Sequence, residues 1–516
     1  MLSLNLELPT FAEIRKERAE AQAAEDRRAR KAALRRSYDA ARVNRLTNDF
    51  TTVNTSANFE LRRSLRRLRA RSRDLARNND YVKKFLSMVR NNVAGPSGMK
   101  LQARAANQRG ELDLELNRHV ERAWQRWSHC ENSSASGRLS WVEIQRKAAT
   151  LLARDGEVVL RMITADNAFG FALKFYSADW LDETFSERLP GGNRVVMSVE
   201  LDPDDRPVAF YLTPPPSDFQ FLHSPTPRYR TRVPAEEIIH LFLHDDENAD
   251  DENQTRGVPW IHTAITRLKI LGAYEEAELV AARVGACKMG FFKEETDEEE
   301  GFTGAEGEQE TSKPVLMDSA SPGQFGVIPK NYTFEQYDPT HPNTSYPSFI
   351  KGVLRGIAAG MEVTYFSLAE DLEGVNYSSA RIGLLSERDT WRGLQNFLVE
   401  HLNRRVFLAW MRSAMLTGAL RIRPSDYERL SEPLFQPRGW RWIDPLKEVQ
   451  ANLTAIEGGL DTRTDVVAEQ GGDFEETLDT LAREQKLIEQ KGVKLGAAGK
   501  KPTPPEDEDE PAPLKK

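Results

Sequence analysis

The sequence predicts an α+β chain, and three observations carry the prediction. Helical periodicity dominates both flanks of the 516 residues. Between them about a hundred residues switch to period two, in short runs separated by Gly, Pro, Asp and Asn. A helix, a polar loop and a longer helix then fill 347–420. Strands grouped together, rather than alternating with helices, favour antiparallel pairing.

Taken in order, residues 1–57 form a highly charged arm with few large apolar side chains, read as solvated or ordered on a partner. From Asn58 a helix carries Leu61, Leu65, Leu68 and Leu75 on one face. Its other positions hold Arg62, Arg63, Arg66, Arg67, Arg69, Arg71 and Arg73. That basic helix reads either as a contact for nucleic acid or an acidic capsid surface, or as a solvated face paired with acids elsewhere. An amphipathic segment over 81–93 ends at Gly95-Pro-Ser-Gly98. Helices follow over 111–129, with Trp124 and Trp127, and over 140–153, where Ser140 is the expected N-cap. Strands are expected at 157–163, 171–176, 194–200, 207–212 and 237–243.

Pro259 suits a helix first turn, and the pattern predicts one long helix to Met289, about 45 Å if unbroken. Residues 294–310 hold nine acids and no base, which predicts a solvated loop. The helix over 349–361 is followed by the polar loop 369–379. A helix to about 415 then carries Leu384, Leu385, Trp391, Leu394, Leu398, Leu402, Phe407 and Trp410 as one apolar stripe. Polar helices are expected over 444–495, and an acidic, proline-rich, disordered tail over 496–516.

The totals exclude several classes. A net charge of -8 rules out a chain that is basic throughout. Cys130 and Cys287 make neither a disulfide framework nor a metal set. No apolar run reaches the ~20 residues of a membrane span, and the N-terminus lacks signal-peptide features, so a soluble, unexported protein is expected.

Catalytic signatures are also missing: there is no P-loop, no dinucleotide fingerprint and no nucleophile elbow. His240-Leu-Phe-Leu-His244, followed by Asp245, Asp246 and Glu247, is the nearest approach to a metal site, for a hydrolase or nuclease. In a strand those histidines lie about 13 Å apart, too far for one ion. No cofactor or metal is expected. The tryptophans, Trp440 and Trp442 included, read as core rather than base-stacking platforms.

Several stretches together resemble the lambda-like portal proteins of tailed bacteriophages. They are Ser37-Tyr-Asp-Ala-Ala41, Arg69-Ala-Arg-Ser-Arg-Asp-Leu-Ala-Arg-Asn-Asn79, Val89-Arg-Asn-Asn-Val-Ala-Gly95, Leu152-Ala-Arg-Asp-Gly-Glu-Val158, Asp205-Arg-Pro-Val-Ala-Phe-Tyr211, Thr255-Arg-Gly-Val-Pro-Trp260, Ile357-Ala-Ala-Gly-Met361 with Tyr365, and Asn376-Tyr-Ser-Ser-Ala-Arg-Ile-Gly383. None is catalytic. The specificity lies in their order and spacing.

The resemblance implies a non-enzymatic ring, usually a dodecamer, at one capsid vertex of the virion, assembled in the host cytoplasm around a channel for double-stranded DNA. It implies a wing over 58–258, a first stem helix over 259–292, a clip over 293–347, a second stem helix over 348–368, a tunnel loop over 369–379, a long helix returning into the wing over 380–443 and a crown over 444–495. Implied partners are the terminase large subunit and head–tail adaptor at the clip (Glu294, Glu295, Tyr332, Tyr337, Tyr346), the major capsid protein and scaffold, and no membrane. The tunnel loop would present Glu370, Asp371, Glu373, Asn376, Tyr377 and Ser378 to DNA. Its acids and lack of bases would let it slide past phosphate rather than grip it. The alternatives are the metal-dependent enzyme at His240 and His244, and a helical scaffold or adaptor that forms no ring.

Overall fold

A computed structural model describes residues 55–107, 109–214, 229–244, 254–286, 290–294, 332–336, 345–440 and 445–491, together with Gln22 and Arg45. The chain divides into two compact units, Met1–Ser56 and Ala57–Lys516, and the elements below belong to the second.

The first helix, α1 (Ala57–Asn78), buries Leu61, Leu65 and Leu75. Asn79 then caps α2 (Asp80–Val89), its side chain accepting from Val82 N at 3.1 Å. A π-helical turn, Arg90–Ala94, leads to Gly95 at φ +78°. After β1 (Lys100–Gln102) come α3 (Leu114–Trp127) and α4 (Trp141–Asp155). Ser140 and Glu143 close a capping box at the start of α4, where the sequence places its N-cap. Gly156 ends α4 at φ +84°.

The β region is antiparallel throughout its named strands, in two sheets. The chain order is β2 (Glu157–Thr164), β3 (Phe171–Tyr176), β4 (Glu187–Arg188), β5 (Arg194–Val196), β6 (Val199–Leu201), β7 (Pro207–Leu212), β8 (Thr231–Pro234) and β9 (Ile238–Phe242). Strand β2 is central in the order β3-β2-β9, while β4 to β8 form a five-stranded meander. The single strand expected over 194–200 is in fact a hairpin. Val196 pairs with Val199, leaving Met197 and Ser198 as a two-residue turn at φ 46° and 72°. No Gly or Asn marks that turn. Instead the tertiary structure holds it, through Ser198 N to Phe185 O (2.9 Å) and Met197 N to Ser186 Oγ (3.1 Å).

The long helix expected from Pro259 is shorter. A 3-10 turn, Trp260–Thr263, precedes α5 (Ile265–Ala286), which is about 33 Å long; residues 287–289 lie outside those described. Strands β10 (Gly290–Glu294) and β11 (Tyr332–Gln336) pair antiparallel. Helix α6 (Tyr346–Gly360) runs back along α5: Tyr274 meets Phe349 at 5.2 Å between ring centroids, and Thr263 Oγ1 donates to Gly360 O at 3.1 Å. Helix α7 (Tyr365–Ala369) follows, then α8 (Tyr377–Leu398), a π-helical segment Val399–Arg404, and α9 (Arg405–Leu416). Leu402 and Phe407 are five apart. The π segment returns both to the core face. Leu385 departs from the expected stripe, being 44% exposed. After β12 (Leu434–Gln436), which pairs with β1, come α10 (Pro445–Glu457), α11 (Arg463–Glu469) and α12 (Phe474–Lys491).

The main core joins α2 to α9. Trp124 sits against Trp127, Trp410 and Phe407 at 4.7, 5.0 and 5.6 Å, and Trp127 Nε1 donates to Phe171 O at 3.1 Å. Trp391 is buried as well, while Trp440 is half-buried with Arg388 5.7 Å above its ring. Trp442 lies outside the described residues.

Candidate functional site

Four places carry the residues singled out above: the loop after α7, the strand pair β10–β11, helix α1, and the end of β9.

At the loop, Thr364 begins α7 with both its N–H and its hydroxyl donating to Glu387 Oε2 of α8, at 3.0 and 2.7 Å. Trp391 Nε1 donates to the other oxygen of Glu387 at 3.2 Å. One buried carboxylate thus pins the start of α7 to α8. Glu370 closes α7 in the left-handed region (φ 53°), and Asn376 caps α8 by accepting from Ser379 N at 2.8 Å. The irregular stretch is therefore 370–376, shorter than the 369–379 expected, because Ala369 still belongs to α7 while Tyr377 and Ser378 open α8.

The acids of this loop are not a uniform row. Glu370 is ion-paired with Lys84 of α2. Asp371 Oδ2 accepts from Lys351 Nζ at 2.8 Å and from the Tyr365 hydroxyl at 2.7 Å, and its Oδ1 accepts from Glu373 N at 2.9 Å. Lys351 first, then Tyr365 and the backbone N–H, hold the Asp371 carboxyl down to about 2. Burial first, then the bond to Asp371, pushes the Tyr365 hydroxyl up to about 12. Among the described residues Glu373 alone of the three acids has no ion-pair partner, beside Leu372, which is 70% exposed. Of the three acids in the loop, Glu370 and Asp371 are thus engaged within the fold. Lys84 and Lys351 left no signal near the loop sequence, since Lys84 is 286 residues from Glu370.

A depressed carboxylate contributes above its unfolded value of about 4 and loses that contribution as pH falls through the folded one. Amide exchange at 372–375, corrected for intrinsic rate, is therefore expected to stay slow at pH 5 and to speed up only as pH approaches about 2. Release of the loop at pH 5 would contradict the Asp371 anchor.

In the strand pair, Glu294 stands opposite Tyr332. Glu295 and Tyr337 lie outside the described residues. Tyr346 is the first residue of α6 and stacks on Tyr274 of α5 at 5.8 Å, so it belongs to the helix pair rather than to the intervening segment.

On α1, Arg62, Arg63, Arg66, Arg67 and Arg71 are exposed, but Arg69 and Arg73 are not available to a partner. Arg69 is 1% exposed and donates to Glu157 at 2.6 Å, with Glu183 as a second acceptor. Arg73 is held by Asp155 at 3.0 Å and by Asp179 at 2.5 Å. Arg69 borders the leucine face of the helix, whereas Arg73 continues the Arg62–Arg66 flank and is drawn in by its two carboxylate partners.

The same network decides His240. Its ring nitrogen lies 2.9 Å from Glu157 Oε2, so it is part of the buried cluster rather than a ligand in waiting. His244 ends the strand segment with its ring 4.8 Å from Phe242, and Asp245, Asp246 and Glu247 lie outside the described residues. Among the described residues no group of three or more His, Cys, Asp and Glu is arranged to hold a metal ion. No described helix is long and apolar enough to cross a membrane.

Residues 43–395, which span α1 to most of α8, match the family described as phage portal protein, lambda family. The chain belongs to that family. Portal proteins of this family are structural, non-enzymatic components of the phage capsid. Over 491 residues, and 93% of each chain, it is 32% identical to a probable portal protein of Halomonas phage phiHAP-1. It is 24% identical over 490 residues to portal protein B of Escherichia phage lambda, covering 84% of each chain, and 23% identical over 470 residues to the portal protein of Escherichia phage N15, covering 83% of this chain and 86% of that one. Among solved structures it is similar to a chain from the neck of an empty GTA particle computed with C6 symmetry, with a TM-score of 0.44, 12% identity and coverage of 78% of this chain and 93% of that one.

Proposed function

We propose that this portal protein assembles as a ring of identical subunits, a dodecamer, at one capsid vertex, and that double-stranded DNA passes through the ring during packaging and ejection. The observation that carries the ring is the surface of α5. Ile265, Leu268 and Leu271 are buried, yet Ile270, Leu279 and Val280 on the same helix are 64%, 71% and 55% exposed. A helix apolar on several sides is a buried helix, and here only one side finds its cover among the described residues. A neighbouring copy supplies the rest. In this reading α5 and α6 form the stem, the residues between them from 293 to 345 a clip that docks the terminase large subunit and the head–tail adaptor, and α10 to α12 a crown. The region before α5 is the wing, which meets the major capsid protein and scaffold.

Single-particle imaging of the purified protein, with native mass, tests the ring. Closed rings around a hole wider than the roughly 20 Å of duplex DNA are the expected result. Monomers both alone and in the presence of capsid and scaffold proteins would overturn the reading. The loop is tested with Glu373→Lys, which disturbs neither anchored acid. A new cation facing phosphate on every subunit is expected to slow packaging several-fold while rings still form, and packaging at the normal rate would count against the loop facing DNA.

A further inference from the structure

The outer face of α1 is a strongly charged surface that the described fold leaves without ion pairs. Arg62 and Arg66 form one i,i+4 row, and Arg63, Arg67 and Arg71 form the next, with steps of about 6 Å along the axis. None of the five pairs with a described carboxylate. Arg62 donates to Thr184 O at 3.4 Å, Arg67 donates to Arg63 O at 3.2 Å, and the Arg63 guanidinium lies 4.5 Å from the Phe59 ring centroid, all neutral partners. Like charges at i,i+4 repel and weaken a helix. Here the helix stands because its inner face is anchored, by Leu61, Leu65 and Leu75 and by the ion pairs of Arg69 and Arg73. The result is a basic strip that no carboxylate among the described residues neutralises, on a chain whose net charge is -8.

A strip of closely spaced guanidinium groups fits a partner with a dense regular row of phosphates. Duplex DNA presents one negative charge per about 1.7 Å of axis, and arginine binds phosphate bidentately. We propose that this face docks double-stranded DNA through its backbone, without reading sequence. It holds packaged DNA, in contrast to the loop at 370–376, whose single free charge is acidic. The holding role rests on the portal reading, but the binding does not.

The test uses the full chain and a short duplex of mixed sequence, with affinity measured across a salt series. The variant is Arg66→Gln, Arg67→Gln and Arg71→Gln together, since glutamine keeps helix propensity. The expected result is a log–log salt slope shallower by about 0.9 for each phosphate that the variant no longer neutralises, up to about 2.7, with helical content unchanged. An unchanged slope would overturn the proposal. A synthetic peptide of residues 500–516 serves as the competitor. If it binds wild type but not the variant, and duplex DNA binds neither, the strip takes an acidic protein segment and the proposal fails. Rings without DNA affinity at α1 would leave the ring reading standing, whereas DNA affinity without rings, alone and with capsid and scaffold proteins, would remove the ring reading and keep the binding.

Discussion

Replacing Glu157 by alanine is expected to lower the unfolding free energy by about 3–5 kcal/mol, the usual consequence of stranding buried charge. Glu157 is 1% exposed. It accepts from Arg256 at 2.6 and 2.8 Å and from Arg69 at 2.6 Å, and lies 2.9 Å from His240. Arg256 is fully buried, and among the described residues it donates beyond Glu157 only to the carbonyls of Leu181, Met197 and Ala178. Without the carboxylate two guanidinium groups keep their desolvation and lose their main counter-charge. Glutamine separates charge from volume: Glu157→Gln fills the same space, so a loss close to that of alanine assigns the effect to charge. Guanidinium unfolding at pH 7 measures both, and a Gln variant as stable as wild type would show the cluster to be energetically idle.

The pH dependence has a definite sign. Burial alone would raise the Glu157 carboxyl, but Arg256 first, then His240 and Arg69, outweigh it and hold it well below the usual carboxylate range. Its contribution is therefore complete above an unfolded value of about 4.3 and is lost as pH falls through the lower folded one. Acid unfolding of wild type should be steep in that window, and that of Glu157→Ala flatter.

This cluster also shows where reading the sequence stops. Glu157 is legible only as the first residue of an alternating strand, Arg69 only as one of seven arginines, and His240 only as half of a tempting pair. Their partners lie 83 to 99 residues from Glu157, and no local period encodes such distances. What is local is readable: the α4 capping box at Ser140, the strands at Phe171–Tyr176 and Pro207–Leu212, and the helix–loop–helix from α6 to α9. The loop is legible to within a few residues, but its charge is not, because Lys84 and Lys351 approach it from other helices. The hairpin at Met197 and Ser198 escapes for a related reason, its positive φ angles being held by distant contacts rather than by glycine.

Gly257→Ala is expected to destabilise the protein on the order of 3–5 kcal/mol, above ordinary overpacking because backbone meets backbone. A Cβ at 257 would stand 2.0 Å from Gly156 O and 2.6 Å from Phe242 Cβ, and one at Gly156 would stand 2.2 Å from Val258 C. Helix α4 ends there and the chain enters the turn that leads to α5, so neither neighbour is a flexible side-chain tip that can swing away. Displacing 257 also moves Arg256, which couples the collision to the Glu157 cluster, and the two substitutions should be less than additive. Gly272→Ala is the matched control: it lies inside α5, a Cβ there meets nothing within 4 Å, and a gain of up to about 1 kcal/mol is expected from helix propensity. Thermal unfolding of both variants separates the close approach from any general intolerance of change around α5. If Gly257→Ala melted with Gly272→Ala, the two glycines would not be the contact that seats α5 against the β region.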